Sequence, residues 1–148
     1  MSVRQDILDA IKTTLEATAG TGYDLDIKQV SLFHENVLIN EDWKQPLVMV
    51  LDGGQEQLLV YDGTNYRYEW KIVLYGYVAT PVSSTVPETL NNMVATLKKY
   101  INSGPSLGSN VLAFKFDNIE ETRFDADHPR ADVVLNCRCI YWCLAGTF

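Results

Sequence analysis

Apolar residues near the start of the chain recur at Ile7, Ile11 and Leu15, with Leu8 widening the stripe. That i, i+4, i+8 spacing predicts an amphipathic helix over Ser2–Ala19. Ser2 followed by Gln5 fits a capping box, and Gly20 and Gly22 fall where a helix stop belongs. A second helical stripe runs through Leu90, Met93, Val94, Leu97 and Ile101. Thr85 and Glu88 form its expected capping box, Pro87 lies in its first turn, and Asn102-Ser103-Gly104-Pro105 ends it.

Elsewhere the period is two. The longest alternation is Tyr66–Val78, YRYEWKIVLYGYV. Tyr66, Tyr68, Trp70, Ile72 and Leu74 share one face and suit a core; Arg67, Glu69, Lys71, Val73, Tyr75 and Tyr77 share the other. At ~3.3 Å per residue the strand spans roughly 43 Å, against a diameter of roughly 40 Å for a compact chain of this length. One end is therefore expected to project with unpaired backbone groups, which proteins cover or use for pairing. The strand reads as an assembly surface.

Around it, Asp24–Phe33 predicts a strand through Ile27, Val30 and Leu32, and Glu35–Gln45 is polar and irregular apart from Trp43. Leu47–Leu51 is a short apolar run suited to burial on both faces, and Asp52-Gly53-Gly54 reads as a turn. Gln55–Tyr61 and Tyr66–Val78 then form a hairpin about Asp62-Gly63-Thr64-Asn65. After the loop Ala79–Thr85 and the second helix, two strands are expected at Val111–Phe116 and Ile119–Phe124, then the polar loop Asp125–Arg130. The closing strand Ala131–Leu144 carries Val133, Leu135, Cys137, Cys139 and Tyr141 on one face. The expected fold is α+β: one domain over 1–148, a mostly antiparallel sheet with a long β-hairpin, and two main helices packed on one face.

Charge narrows the function classes. Twelve Lys and Arg stand against nineteen Asp and Glu, a net charge of −7, with no basic cluster beyond Lys98-Lys99. Tight nucleic-acid binding, which needs cations on phosphates, is disfavoured. The N-terminal MSVRQDILDAIK mixes charges with apolar residues and does not read as a signal peptide, and no window approaches the ~18 apolar residues of a membrane span. Cys137, Cys139 and Cys143 are odd in number and share strand parity, so free thiols in a reducing compartment are expected, as small buried hydrophobes.

Catalytic signatures are thin. Gly53-Gly54 leads into no helix with a phosphate-binding lysine. Asp125, Asp127 and His128 offer two carboxylates and an imidazole, but a solvated turn ended by Pro129 is the expectation. His34 and His128 sit in no nucleophile motif, and Glu120 and Glu121 point to opposite faces of a strand. No cofactor, metal site or enzymatic activity is expected.

Taken in order, MSVRQDILDAIKTTLE, WKQPLVMVLDGG, YRYEWKIVLYGYV, PETLNNMVATLKKYI and ADVVLNCRCIYW make a capped helix, a proline-led strand, a long strand, a helix and a closing strand. This layout resembles the tail terminator and minor tail proteins of long-tailed bacteriophages over nearly the whole chain, through element order rather than a diagnostic motif. The resemblance implies a virion structural subunit, made in the host cytoplasm, that forms a sixfold ring on the head-proximal end of the tail tube. Its partners would be its own copies, the tube protein and a head-completion protein, and DNA would pass through without specific binding. Arg67, Glu69, Lys71 and Tyr75 are the candidate subunit contacts. Asp117, Glu120, Glu121, Asp125 and Asp127, in an acid-rich segment with Asp132 against Arg123 and Arg130, are candidates for the channel surface or an outer solvated loop. Another neck or tail component, such as a completion or tube protein, fits most of these features. A small metal-dependent enzyme using Asp125, Asp127 and His128 is the remoter alternative.

Overall fold

Ser2 starts the first helix as its spacing predicts. Its Oγ accepts from the Gln5 backbone N–H at 3.2 Å, and helix α1 runs over Val3–Glu16. The reciprocal half of the box is not made, because the Gln5 side chain donates to Asp9 Oδ1 at 3.0 Å. The second helix, α2, covers Val86–Asn102 with Pro87 in its first turn. Here the expected Thr85–Glu88 box is absent: Thr85 has φ −94° and ψ −10°, and its hydroxyl bonds Thr80 Oγ1 at 3.0 Å. A capping side chain needs extended backbone to reach the first N–H groups, and Thr85 is already helical.

The computed structural model describes residues 2–32, 46–80, 85–125 and 129–148. Among these residues there are five strands: β1 Gln29–Leu32, β2 Leu47–Tyr61, β3 Asn65–Ala79, β4 Val111–Asp125 and β5 Arg130–Leu144. They form one sheet in the order β1-β2-β3-β5-β4, with β1 parallel to β2 and every other pair antiparallel. Of the segment Asp24–Phe33 only Gln29–Leu32 is strand; Phe33, His34, Trp43 and the rest of 33–45 lie outside the described residues.

Two expected breaks are bulges instead. Asp52-Gly53-Gly54 does not turn the chain; β2 continues through it, pairing Asp52 with Ile72 and then Glu56 with Trp70. Likewise the two strands expected at Val111–Phe116 and Ile119–Phe124 are one β4, its register shifting between Phe116 and Asn118. A bulge absorbs extra residues while the ladder resumes on either side, so polar and glycine punctuation is tolerated without ending the strand. The hairpin turn behaves as expected. Asp62 Oδ1 accepts from Thr64 N at 3.0 Å and Asn65 N at 2.7 Å, and Gly63 supplies a φ of +89°.

Both helices pack on one face of the sheet. Ile7, Ile11 and Leu15 of α1 and Met93, Leu97 and Ile101 of α2 cover Val48, Val50, Ile72, Leu74, Leu135 and Cys137, all buried. Leu47 to Val50 are buried on both faces, as their unbroken apolar run predicts. The three cysteines are free and buried, and burial pushes the Cys137 and Cys139 thiols up to about 12.

Toward the hairpin end the helices stop and aromatic rings take over the same face. Trp70 is fully buried, but Tyr66 and Tyr68, expected in the core with it, are half-buried. Tyr61 stacks on Tyr66 with centroids 4.3 Å apart, and Tyr68 on Tyr141 at 5.5 Å. Polar groups close the junction. The Arg4 guanidinium lies 4.3 Å from the Trp70 ring centroid and pairs with Asp52, which also accepts from Trp70 Nε1 at 3.0 Å. Burial alone would raise the Asp52 carboxyl, but the Gly54 N–H, the Trp70 indole and Arg4 together hold it below its ordinary value.

Candidate assembly surface

The projecting strand is not the one expected. β3 pairs with β5 along all of Asn65–Ala79 and with β2 on its other side, so its backbone offers nothing to a neighbour. The unpaired edges lie elsewhere. β1 covers the outer side of β2 only at Leu47–Val50, and among the described residues no strand covers it at 51–61. β4 forms the opposite edge along its whole length.

Arg67, Glu69, Lys71 and Tyr75 all sit on the helix-free face of β3, where pairing brings them to partners far away in sequence. One row across the sheet is Lys71, Arg138 and Lys115, three cations directly opposite one another. Like charges so placed repel. Two carboxylates offset them: Arg138 Nη1 lies 3.2 Å from Glu69 Oε1, and its Nη2 lies 3.2 Å from Asp117 Oδ1. These pairs are half-exposed, and each contributes little stability.

A second cluster lies farther from the hairpin. Tyr75 donates to Asp132 Oδ2 at 2.7 Å, and Arg123 Nε lies 3.2 Å from Asp132 Oδ1 and 3.5 Å from Glu121 Oε1. Burial, then the bond to Asp132, pushes the Tyr75 phenol well above its ordinary value. Contact candidates and channel candidates therefore interlock, Glu69 with Asp117 and Tyr75 with Glu121. Arg67 alone of the four contact candidates stays exposed, without an ion pair among the described residues.

The acidic candidates do not form one patch. Asp117 and Glu121 bind the two clusters, and Glu120 is the extra residue of a β4 bulge between Ile119 and Glu121. The Asp125 backbone pairs with Arg130 at the end of β4, while Asp127 and His128 lie outside the described residues. Sequence reasoning missed Arg138, the hub of the first cluster, and Lys115 in its row; only the register of three strands aligns them.

Among the described residues no three His, Cys, Asp or Glu side chains converge as a metal site. No helix there is long and apolar enough to cross a membrane. Among the described residues the geometry offers two edge segments without a strand partner and a charge-patterned face, which can join proteins. No protein-family model and no curated protein sequence matches this chain.

Proposed function

We propose that this chain is a virion structural protein of a long-tailed bacteriophage, a tail terminator acting by assembly rather than catalysis. Copies close into a ring on the head-proximal end of the tail tube, stop its growth and present the surface on which the head joins. One observation carries the reading: among the described residues the sheet has helices on one face only and edge segments without a strand partner on both sides. Along β2, β3, β5 and β4 the strand direction alternates. A second copy set beside β4 therefore offers a β2 of the opposite direction, and the antiparallel order continues. Such head-to-tail contacts are heterologous and either close or run on. Closure covers the free length of β2, which removes the hazard that its open apolar edge presents.

With the helices outermost, the helix-free face turns to the channel, carrying Glu69, Lys71, Asp117 and Glu121. DNA passes along it without specific binding, and no cofactor takes part. Native mass over a concentration series, followed by electron microscopy with purified tail tubes, tests the reading. A closed ring of one size that caps tubes at one end supports it. Tubes that lengthen instead identify a tube protein, and a monomer that leaves tubes unchanged refutes both.

A further inference from the structure

Exposed large apolar side chains cluster at the hairpin end of β2 and lie along β4, where Ile119 and Phe124 are exposed farther from the hairpin. On β2, Leu58, Leu59, Val60 and Tyr61 are 49, 39, 49 and 52 % exposed; on β4, Leu112 is 50 % exposed. Sheet pairing puts these edges at one level. Val60 lies opposite Arg67 and Arg67 opposite Trp142, while Leu112 is the extra residue of the β4 bulge beside Tyr141 and Ile140. Val60, Arg67, Trp142 and Leu112 all line one shallow hollow of about 300 Å³ on the helix-free face.

We propose that residues 51–61 on the outer edge of β2 in one copy pair antiparallel with residues 111–117 of β4 in the next. The inference rests on the ring reading and names the contact that closes it. Three observations choose this partner. First, proteins blunt a free edge with lysine, proline or a covering segment, yet β2 shows the run Leu58-Leu59-Val60-Tyr61, which has no charge and no proline. Second, strand direction chooses the pair. When copies follow one another head to tail, β4 of one runs antiparallel to β2 of the next, whereas pairing β2 with a second β2 would leave β4 open.

Third, the levels overlap. The row Leu51, Val73, Asn136 and Asn118 crosses the sheet where β1 stops covering β2. The free part of β2 therefore faces the first half of β4 and not its acidic second half. Val60 of one copy meets Leu112 of the next, and the hollows join into a belt around the ring.

Paired cysteines test this, because the native thiols are buried. Val60→Cys and Leu112→Cys are each made alone and together, then treated with a short bismaleimide. The double variant is expected to give a ladder ending at the closed ring, and a mixture of the single variants only dimers. Either single variant alone is expected to stay uncross-linked. Cross-linked dimers from Val60→Cys alone overturn the assignment, as does an uncross-linked double variant at its highest soluble concentration. A ring seen by native mass without cross-links sinks this contact but not the ring; a ladder that never closes sinks the ring but not the contact. Leu59→Lys, at an exposed position, is expected to weaken association at least tenfold while leaving the monomer's unfolding curve unchanged. An unaltered association constant also overturns the assignment.

Discussion

Gly53 is the most demanding position in the β2 bulge, and replacing it with alanine tests whether the bulge is a packed feature. A Cβ there would lie 2.5 Å from Lys71 Cγ, 2.6 Å from the Lys71 carbonyl oxygen and 2.9 Å from its carbonyl carbon. Carbon contacts become comfortable near ~3.5 Å, so β2 and β3 would part by roughly 0.9 Å. The Lys71 backbone cannot retreat, because Arg138 of β5 holds it from the other side. Gly76 is the internal control. A Cβ there would meet only side chains, Met93 Cγ at 3.0 Å and Val133 Cγ1 at 3.1 Å, and methionine adapts readily.

Overpacking costs about 1–3 kcal/mol, and alanine recovers about 0.4–1 kcal/mol by restricting the unfolded chain. Gly53→Ala, at the upper end of that cost, is therefore expected to lose about 1.5–2.5 kcal/mol and Gly76→Ala less than about 1 kcal/mol. At about 2–4 °C per kcal/mol for a chain of this size, the first loss lowers Tm by roughly 3–10 °C. Urea unfolding followed by circular dichroism, on protein dilute enough to stay monomeric, gives both values. A Gly53→Ala variant as stable as Gly76→Ala would refute the close approach of the bulge to Lys71.

Four further outcomes are expected. Asp52 is held below its ordinary value of 3.8, so its stabilising effect is full above that value and is lost as pH falls through the lower folded value. Asp52→Asn should remove that part of the acid limb, and an acid transition identical to the wild type's would contradict it. All three cysteines should resist a thiol reagent in the native state and react once guanidinium unfolds the chain; native labelling of Cys137 would show that the core is open. Asn136 is 5 % exposed and donates to Asn118 Oδ1 at 2.8 Å, but its own Oδ1 has no partner. Asn136→Val should hold or raise stability by about 1 kcal/mol, and a loss larger than that would mean the oxygen is satisfied. Reversing both Glu69 and Lys71, on the doubly paired strand β3, should leave assembly unchanged, as read by native mass beside an unfolding curve. Weakened assembly with the fold intact would place them in the contact.

Periodicity alone located both helices, the alternating β5 and the single helix-covered face. Local burial writes these patterns directly: Ile7, Ile11 and Leu15 face the core because a helix turns every 3.6 residues, and Val133 to Tyr141 do so because strand side chains alternate. Tertiary structure decided which strand stands beside which, and that was not legible. Asp52-Gly53-Gly54 and Asp117 look like breaks, because the ladders that carry β2 and β4 through their bulges belong to partner strands distant in the chain. For the same reason the long strand Tyr66–Val78 reads as the exposed one, although pairing on both sides makes it interior and, among the described residues, leaves β1, residues 51–61 of β2 and β4 at the edges. The pattern along a strand says which face a side chain takes. Only the register between strands sets Glu69 and Asp117 about Arg138, since hydrogen-bonded pairing, not sequence distance, chooses neighbours.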